Sequence, residues 1–167
     1  VPSSVCRPSV ATMHTGRSPH QQAIHFNHPP PGFRAMAHVP TAESYYQARQ
    51  AAVDLFRRTP TLPGVLARHG YASFQAGKHW EGTFRDAGFT EGMTINRPCL
   101  DQPWNRQLPD GQWVAHGNGD FGLVIGRRTM QPVFEFIQRN TDGPFLLWYA
   151  PVLPHEPHDA PQRYHAR

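Results

Sequence analysis

The chain contains very little cysteine and very little lysine. Its two cysteines, Cys6 and Cys99, are the only ones in 167 residues, and their spacing resembles neither a disulfide framework nor a zinc site. The eleven histidines also lack the paired spacing, four residues apart, of a helical zinc site. Lys78 is the single lysine beside fifteen arginines. The composition therefore predicts neither a disulfide-stapled fold nor a zinc-dependent one.

Long apolar segments and long basic segments are missing as well. No run of about eighteen apolar residues occurs, and the N-terminus lacks the basic and apolar regions of a signal peptide. The basic residues give a formal charge of +4 but stand singly or in pairs, such as Arg57-Arg58, without a run that would predict a nucleic-acid arm. We therefore expect no membrane partner and no nucleic-acid partner. A basic balance of this kind fits an anionic substrate.

Helical and strand patterns alternate along the chain. Apolar spacing with proline or glycine at the ends predicts helices at 8–15, 41–57, 62–70 and 131–140. Strands are predicted at 71–76, 121–125 and 145–150, with a short hairpin at 108–113. The run 145–150 is continuously apolar, which is typical of a central strand buried on both faces. The sequence therefore predicts an α/β fold.

The first predicted helix follows Cys6 directly. Pro8 suits a first helical turn, and Gly16 supplies a left-handed stop. Cys6 is therefore expected at a helix N-terminus, where unpaired N–H groups and the helix dipole stabilise a thiolate or a bound anion. A buried cysteine that acts as a small apolar residue is the alternative. A cysteine phosphatase is disfavoured, because Thr12 stands where its phosphate-binding arginine would be needed.

The segment around Cys6 resembles the sulfatase signature, Cys-X-Pro-Ser-Arg followed by Thr-Gly-Arg. Cys6, Pro8 and Ser9 match it, as does Thr15-Gly16-Arg17, whereas Val10 stands where the family usually has arginine. Two later segments support the resemblance. Gly77-Lys78-His79-Trp80 is similar to the family's Gly-Lys-Trp-His with the last two residues transposed. Pro154-His155-Glu156-Pro157 is similar to its Pro-His-X-Pro.

The resemblance implies an alkaline-phosphatase-like α/β fold, with a central, largely parallel sheet flanked by helices. Residues 1–167 would be part of one catalytic domain that is truncated at both ends, so the fold would be incomplete in this fragment. The implied activity is that of a sulfuric ester hydrolase. The isolated fragment is expected to turn over little or no substrate, because the family's acidic metal-binding pairs have no counterpart at matching places in the chain.

The resemblance also implies roles for particular residues. Cys6 would be oxidised to formylglycine, whose hydrate attacks sulfur with the help of Ca²⁺ or Mg²⁺. Cys6 would also be a metal contact, with the other ligands outside this chain. Lys78 and His155 would be catalytic, the first on the sulfate oxygens and the second on the leaving oxygen. The implied substrate-binding residues are Arg17, His20, His79 and Trp80.

The resemblance extends to partners and location. The substrate would be a small-molecule or glycan sulfate ester, and a formylglycine-generating or other maturation enzyme would act on Cys6. The resemblance favours a periplasmic or secreted protein, with the cytoplasm as the alternative. Two other functions stay open at this point. One is a formylglycine phosphonate or phosphodiester hydrolase, and the other is a non-catalytic sulfatase-like protein that binds sulfated glycans.

Overall fold

The computed structural model describes residues 2–27, 42–94, 105–107, 113–115, 125–126 and 129–151. Its helices are α1 (Cys6–Thr15), α2 (Pro19–Gln22), α3 (Ala42–Arg57), α4 (Leu62–Ala67) and α5 (Gln131–Arg139), together with a short 3-10 helix at Phe84–Ala87. Its strands are β1 (Ala72–Gly77), β2 (Glu91–Gly92), β3 (Asn105–Gln107), β4 (Trp113–Ala115) and β5 (Phe145–Ala150). No helix among these residues is long and apolar enough to cross a membrane.

The central sheet is parallel, with strand order β2-β1-β5. β1 and β5 pair along their full length, from Ala72 opposite Phe145 to Gly77 opposite Ala150. Parallel neighbours need crossover connections, and α5 lies in the connection that leads to β5. The structure confirms the predicted α/β fold with a parallel sheet flanked by helices.

The position of β5 corrects one prediction. Within the described residues β1 is the middle strand and β5 is an outer strand. All of β1 after Ala72 is buried, whereas Phe145 and Tyr149 of β5 are 38% and 44% exposed. The prediction that 145–150 is central and buried on both faces is therefore wrong for this part of the chain. An apolar run shows that a strand packs well, but it does not show which strands lie on either side.

Local sequence signals set the helix boundaries. Gly16 ends α1 as predicted, with φ of 67° and its N–H donating to Thr12 O at 2.8 Å. α1 begins at Cys6, two residues before the predicted start. The hydroxyl of Thr61 accepts from the N–H of Gly64 at 3.2 Å and caps α4, which ends at Ala67 and is shorter than predicted.

The predicted hairpin is confirmed, since β3 and β4 pair antiparallel from Asn105 opposite Ala115 to Gln107 opposite Trp113. The predicted strand at 121–125 lies outside the described residues except for Ile125, which forms a single bridge with Thr129. Thr129 is predicted to cap α5, but the N-cap residue is Met130, which has no side-chain cap hydrogen bond; Thr129 lies one residue earlier, where its Oγ1 accepts from the N–H of Gln131 at 2.9 Å.

Two apolar cores lie on opposite faces of the sheet. On the face of α5, Phe74 stacks on Phe136 with ring centres 5.2 Å apart. On the face of α1 and α3, Leu146 and Trp148 pack against a core that includes Phe56. Alternate residues of β5 therefore serve alternate faces, which is the arrangement that an α/β sheet requires. Sheet and helices together hold the carboxyl end of β1 beside the start of α1.

Candidate functional site

Cys6 is the first residue of α1, as the sequence predicts for a cysteine at a helix N-terminus. Its thiol donates to Asn27 Oδ1 at 3.3 Å, and the backbone N–H of Arg7 donates to the same oxygen at 3.0 Å. One side-chain oxygen therefore occupies the position where unpaired helix N–H groups point. Such a position accommodates oxygen atoms that carry negative charge, because the N–H groups and the helix dipole both favour them.

Lys78 leaves the sheet directly after β1. Its N–H donates to Ala150 O at 2.6 Å, and its carbonyl accepts from Trp148 Nε1 at 3.0 Å. Gly77 has φ of 94°, and a Cβ at this residue would lie 2.0 Å from Ala150 O. Only glycine fits there, because a side chain would collide with the neighbouring strand. Gly77 therefore lets the chain turn at the sheet edge and present Lys78 beyond it.

Cys6, Lys78 and Trp80 come together at this edge. Trp80 and Val10 form a small buried apolar cluster against which Cys6 packs. The Lys78 ammonium lies 5.5 Å from the centre of the Trp80 ring, within the range of a cation–π contact. Trp80 thus forms an apolar wall between the helix that begins at Cys6 and the strand that ends before Lys78.

His79 points away from this group. It is fully buried, its Nε2 lies 3.2 Å from Glu81 O, and its ring stacks on His14 with centres 5.4 Å apart. Burial lowers the pKa of His79, and it lowers the pKa of His14 well below the ordinary value. Successive side chains of an extended segment alternate in direction, which explains why His79 enters the core between Lys78 and Trp80.

Arg7 and Glu81 form a contact that sequence reasoning missed. Arg7 Nε and Nη2 donate to the two carboxylate oxygens of Glu81 at 2.5 and 3.1 Å, and both side chains are only 2% exposed. Burial by itself raises the pKa of Glu81, but the charges of Arg7 and Arg49 outweigh it and leave the pKa below its ordinary value. The bidentate pair joins the residue after Cys6 to the segment after Lys78.

Arg49 belongs to the same junction. It is 1% exposed, and its Nη2 donates to the Trp80 carbonyl at 2.6 Å. No local signal pairs Arg7 with Glu81, since the two residues are 74 positions apart in the chain. The one sequence feature that could have indicated the Arg7–Glu81 pair is that each residue is charged and lies beside a motif, Arg7 after Cys6 and Glu81 three residues after Lys78.

Two of the predicted site residues, Arg17 and His20, do not lie beside Cys6. Arg17 and His20 are exposed and follow the C-terminal end of α1, a ten-residue helix about 15 Å long that begins at Cys6. The N–H of Arg17 donates to Thr15 Oγ1 at 3.2 Å. His155 lies outside the described residues.

The fold and the site together define an α/β protein with a candidate site at the carboxyl edge of a parallel sheet, the usual place for ligand-binding residues in such folds. The Sulfatase family model matches residues 1–167, the whole chain, and the chain belongs to the sulfatase family. Proteins of this family are hydrolases of sulfate esters. A comparison with curated proteins finds no significant match.

Proposed function

We propose that the protein hydrolyses a sulfate ester at the position of Cys6, after conversion of Cys6 to formylglycine. The observation that carries the proposal is that Cys6 and Lys78 both lie against Trp80. Cys6 begins a helix, Trp80 packs with it, and Lys78 carries the only lysine ammonium of the chain 5.5 Å from the Trp80 ring. A nucleophilic position, a positive charge and a helix N-terminus are the groups that transfer of a sulfuryl group needs.

Each of these residues has a separate task in the proposal. Hydrated formylglycine would supply one hydroxyl that attacks sulfur as the S–O bond to the alcohol breaks. The other hydroxyl would then lose its proton and re-form the aldehyde as the C–O bond to the sulfate breaks. The N-terminal N–H groups of α1 and the Lys78 ammonium stabilise the negative charge that develops on the sulfate oxygens. Trp80 keeps water from one side of the site, which strengthens these electrostatic interactions. His155 is predicted to stabilise or protonate the leaving oxygen.

The family usually uses a metal cation and formylglycine. Ca²⁺ and Mg²⁺ prefer oxygen ligands, and Asn27 places one side-chain oxygen beside Cys6. The described residues contain no group of three or more His, Cys, Asp or Glu side chains that could hold a metal ion. They do not make up a cation site by themselves, so the remaining ligands would come from outside them.

The test is turnover by the full-length protein, produced together with a maturation enzyme, on an aryl sulfate and an aryl phosphodiester. We expect preference for the sulfate, no turnover by Cys6→Ala, and a loss of about 100-fold or more in kcat for Lys78→Ala. His69→Ala, at an exposed position outside the site, is the control and is expected to keep full activity. Preference for the diester would contradict the proposal and favour a phosphonate or phosphodiester hydrolase.

One observation favours a second candidate, a non-catalytic protein that binds sulfated glycans. Val10 stands where the family usually has arginine, and it is buried in the apolar cluster with Trp80. The site therefore has no guanidinium at that position. A protein that keeps an intact Cys6 thiol when it is produced with the maturation enzyme, shows no turnover and binds sulfated glycans would support this candidate.

A further inference from the structure

The chain after α2 runs back along α1, from the end of that helix to its beginning. Gln22 is buried, and its Nε2 donates to Pro8 O at 3.2 Å. Ile24 is buried as well and belongs to the core on the α1 face of the sheet. Asn27 then lies beside Cys6, the first residue of the helix. The chain is therefore anchored at two points before it reaches position 6.

The buried guanidinium of Arg7 holds the backbone at the end of this stretch. Its Nη1 donates to Phe26 O at 3.2 Å and to Asn27 O at 3.5 Å. Its Nε and Nη2 donate to Glu81, so the guanidinium is itself fixed. A side chain whose backbone is held in this way has a defined place relative to the residue it contacts.

The Asn27 side chain meets Cys6 through its oxygen. The N–H of Arg7 donates to the same atom at 3.0 Å, and a backbone N–H can only donate, so that atom is the acceptor Oδ1. The Cys6 thiol lies 3.3 Å from it and is therefore a donor. An amide oxygen has two lone pairs, and these two donors use both. A cation would have to displace one of them to bind there.

Asn27 is the one hydrogen-bond partner of the Cys6 side chain among the residues that the structure describes. Cys6 also packs against the cluster of Val10 and Trp80, which is apolar. A polar group at position 6 therefore finds its acceptor at Asn27.

We propose that Asn27 is the positioning residue of position 6, whose amide oxygen holds the Cys6 thiol before maturation and one hydroxyl of hydrated formylglycine after it. The inference rests on the proposed function and adds a residue to it. Two hydroxyls on one tetrahedral carbon have a fixed angle between them, so a hydrogen bond from one sets the direction of the other. The free hydroxyl would attack sulfur. Asn27 takes up no proton, so the held hydroxyl would lose its proton to water when the aldehyde re-forms.

The first test does not depend on turnover. It measures the infrared S–H stretching band of Cys6 in the full-length protein produced without a maturation enzyme, as the difference from the same protein carrying Cys6→Ala. A hydrogen bond from the thiol lowers the frequency of this band. Asn27→Leu has a similar size but no acceptor, and we expect the band at higher frequency. Asn27→Asp supplies a carboxylate, a stronger acceptor, and we expect the band at lower frequency.

Asn140→Leu is the matched control for this measurement. Asn140 is also half-buried, and its Nδ2 donates to Phe136 O at 2.7 Å, at the end of α5. Its substitution is expected to leave the Cys6 band unchanged. Melting temperatures establish which variants are folded, and Asn27→Asp keeps the shape of the asparagine where the leucine substitution is not tolerated.

Two infrared results would overturn the proposal. One is an unchanged band in folded Asn27→Leu, which would mean that the thiol does not donate to this oxygen. The other is a band at higher frequency in Asn27→Asp, because general loosening of the packing would weaken the hydrogen bond in either variant, whereas a retained acceptor would not.

The second test measures turnover of an aryl sulfate by the matured protein. Asn27→Leu is expected to lower kcat about tenfold or more and to change KM less than about twofold, because it misdirects the attacking hydroxyl and removes no substrate contact. Asn27→Asp keeps the acceptor and should retain kcat within about threefold, with a higher KM because its charge repels the anionic ester.

The kinetic results separate the possible failures. Recovery of kcat in Asn27→Leu at high Ca²⁺ concentration would assign the Asn27 oxygen to the cation and overturn the proposal. Equal kcat in Asn27→Leu and its parent would overturn it as well. Absence of turnover in the matured parent would count against the proposed function, whereas the infrared band still decides whether Asn27 holds position 6.

Discussion

Arginine side chains occur in two contrasting settings in the molecule, one buried and one exposed. In the buried junction of Arg7, Arg49 and Glu81, each guanidinium meets a carboxylate or a carbonyl, and the Arg7–Glu81 pair is 2% exposed. A second, open surface lies among the end of α3, α4 and the 3-10 helix and is lined by Arg57, Arg58, Arg68, Arg85 and Asp86. There Arg57 is 43% exposed and pairs with Asp86 at 2.6 Å, whereas the other three arginines form no ion pair among the described residues. A buried charge has to be paired because its desolvation is costly, whereas water stabilises an exposed charge without a partner in the protein.

The buried junction also connects the two halves of the candidate site. Arg7 follows Cys6 in α1, and Glu81 follows Lys78 after β1. Because the pair is bidentate and excluded from water, it holds the proposed nucleophilic position at a fixed place relative to Lys78. The Arg57–Asp86 pair also joins two segments, the end of α3 and the 3-10 helix, but it is partly exposed and lies outside the candidate site.

The largest expected effect comes from breaking the buried pair. Glu81→Ala leaves the Arg7 guanidinium buried without its carboxylate, and we expect a loss of about 3–5 kcal/mol in the free energy of unfolding, measured by urea denaturation. Glu91→Ala is the control, because the Arg139–Glu91 pair is 55% and 43% exposed, and its loss should cost less than about 1 kcal/mol. Similar losses in the two variants would show that burial does not distinguish the pairs.

A smaller effect is expected where the backbone of Gly88 meets that of Gly64. Gly88 and Gly70 have nearly the same φ, 83° and 80°, but a Cβ at Gly88 would collide with Gly64, whereas nothing lies within 4 Å at Gly70. Gly70→Ala should cost about 1–2 kcal/mol in unfolding free energy from the backbone conformation alone. Gly88→Ala should cost about 1–3 kcal/mol more because of the overlap. Equal costs, measured by denaturation, would mean that the two backbone segments are not in contact.

The smallest expected effect is a pH dependence of the free energy of unfolding, caused by the buried side chain of His14. Folding lowers the pKa of His14 below its ordinary value of 6.5, mainly by burial and further by His79, so the unfolded state binds the proton more tightly. The contribution of His14 to stability is therefore complete above about pH 6.5 and is lost as the pH falls toward its folded pKa, with a slope of at most about 1.4 kcal/mol per pH unit.

His14→Phe removes this proton and keeps a ring in contact with Trp148, whose ring centre lies 4.3 Å away. The variant should show a flatter decline of stability between pH 7 and pH 5 in denaturation curves. Some decline should remain, because burial lowers the pKa of His79 as well. An unchanged slope would mean that His14 is not the group that takes up the proton.

The sequence predicted those features that depend on neighbouring residues. Gly16 ends α1, and the patterns at 71–76 and 145–150 correspond to β1 and β5 within one residue, because capping and apolar runs are local signals. The outer position of β5 within the described residues and the Arg7–Glu81 pair depend on contacts between distant segments, which a single sequence does not encode locally. The position of Arg17 after the opposite end of α1 from Cys6, by contrast, follows from the helix predicted at 8–15 and its stop at Gly16.

The most direct test of the central claim is the mass of the peptide that contains position 6. The full-length protein is produced with and without a formylglycine-generating enzyme, digested, and analysed by mass spectrometry together with its aryl sulfate turnover. The account predicts an aldehyde at position 6 and turnover only in the matured protein. An intact Cys6 thiol in protein that hydrolyses the sulfate equally well under both conditions would contradict it.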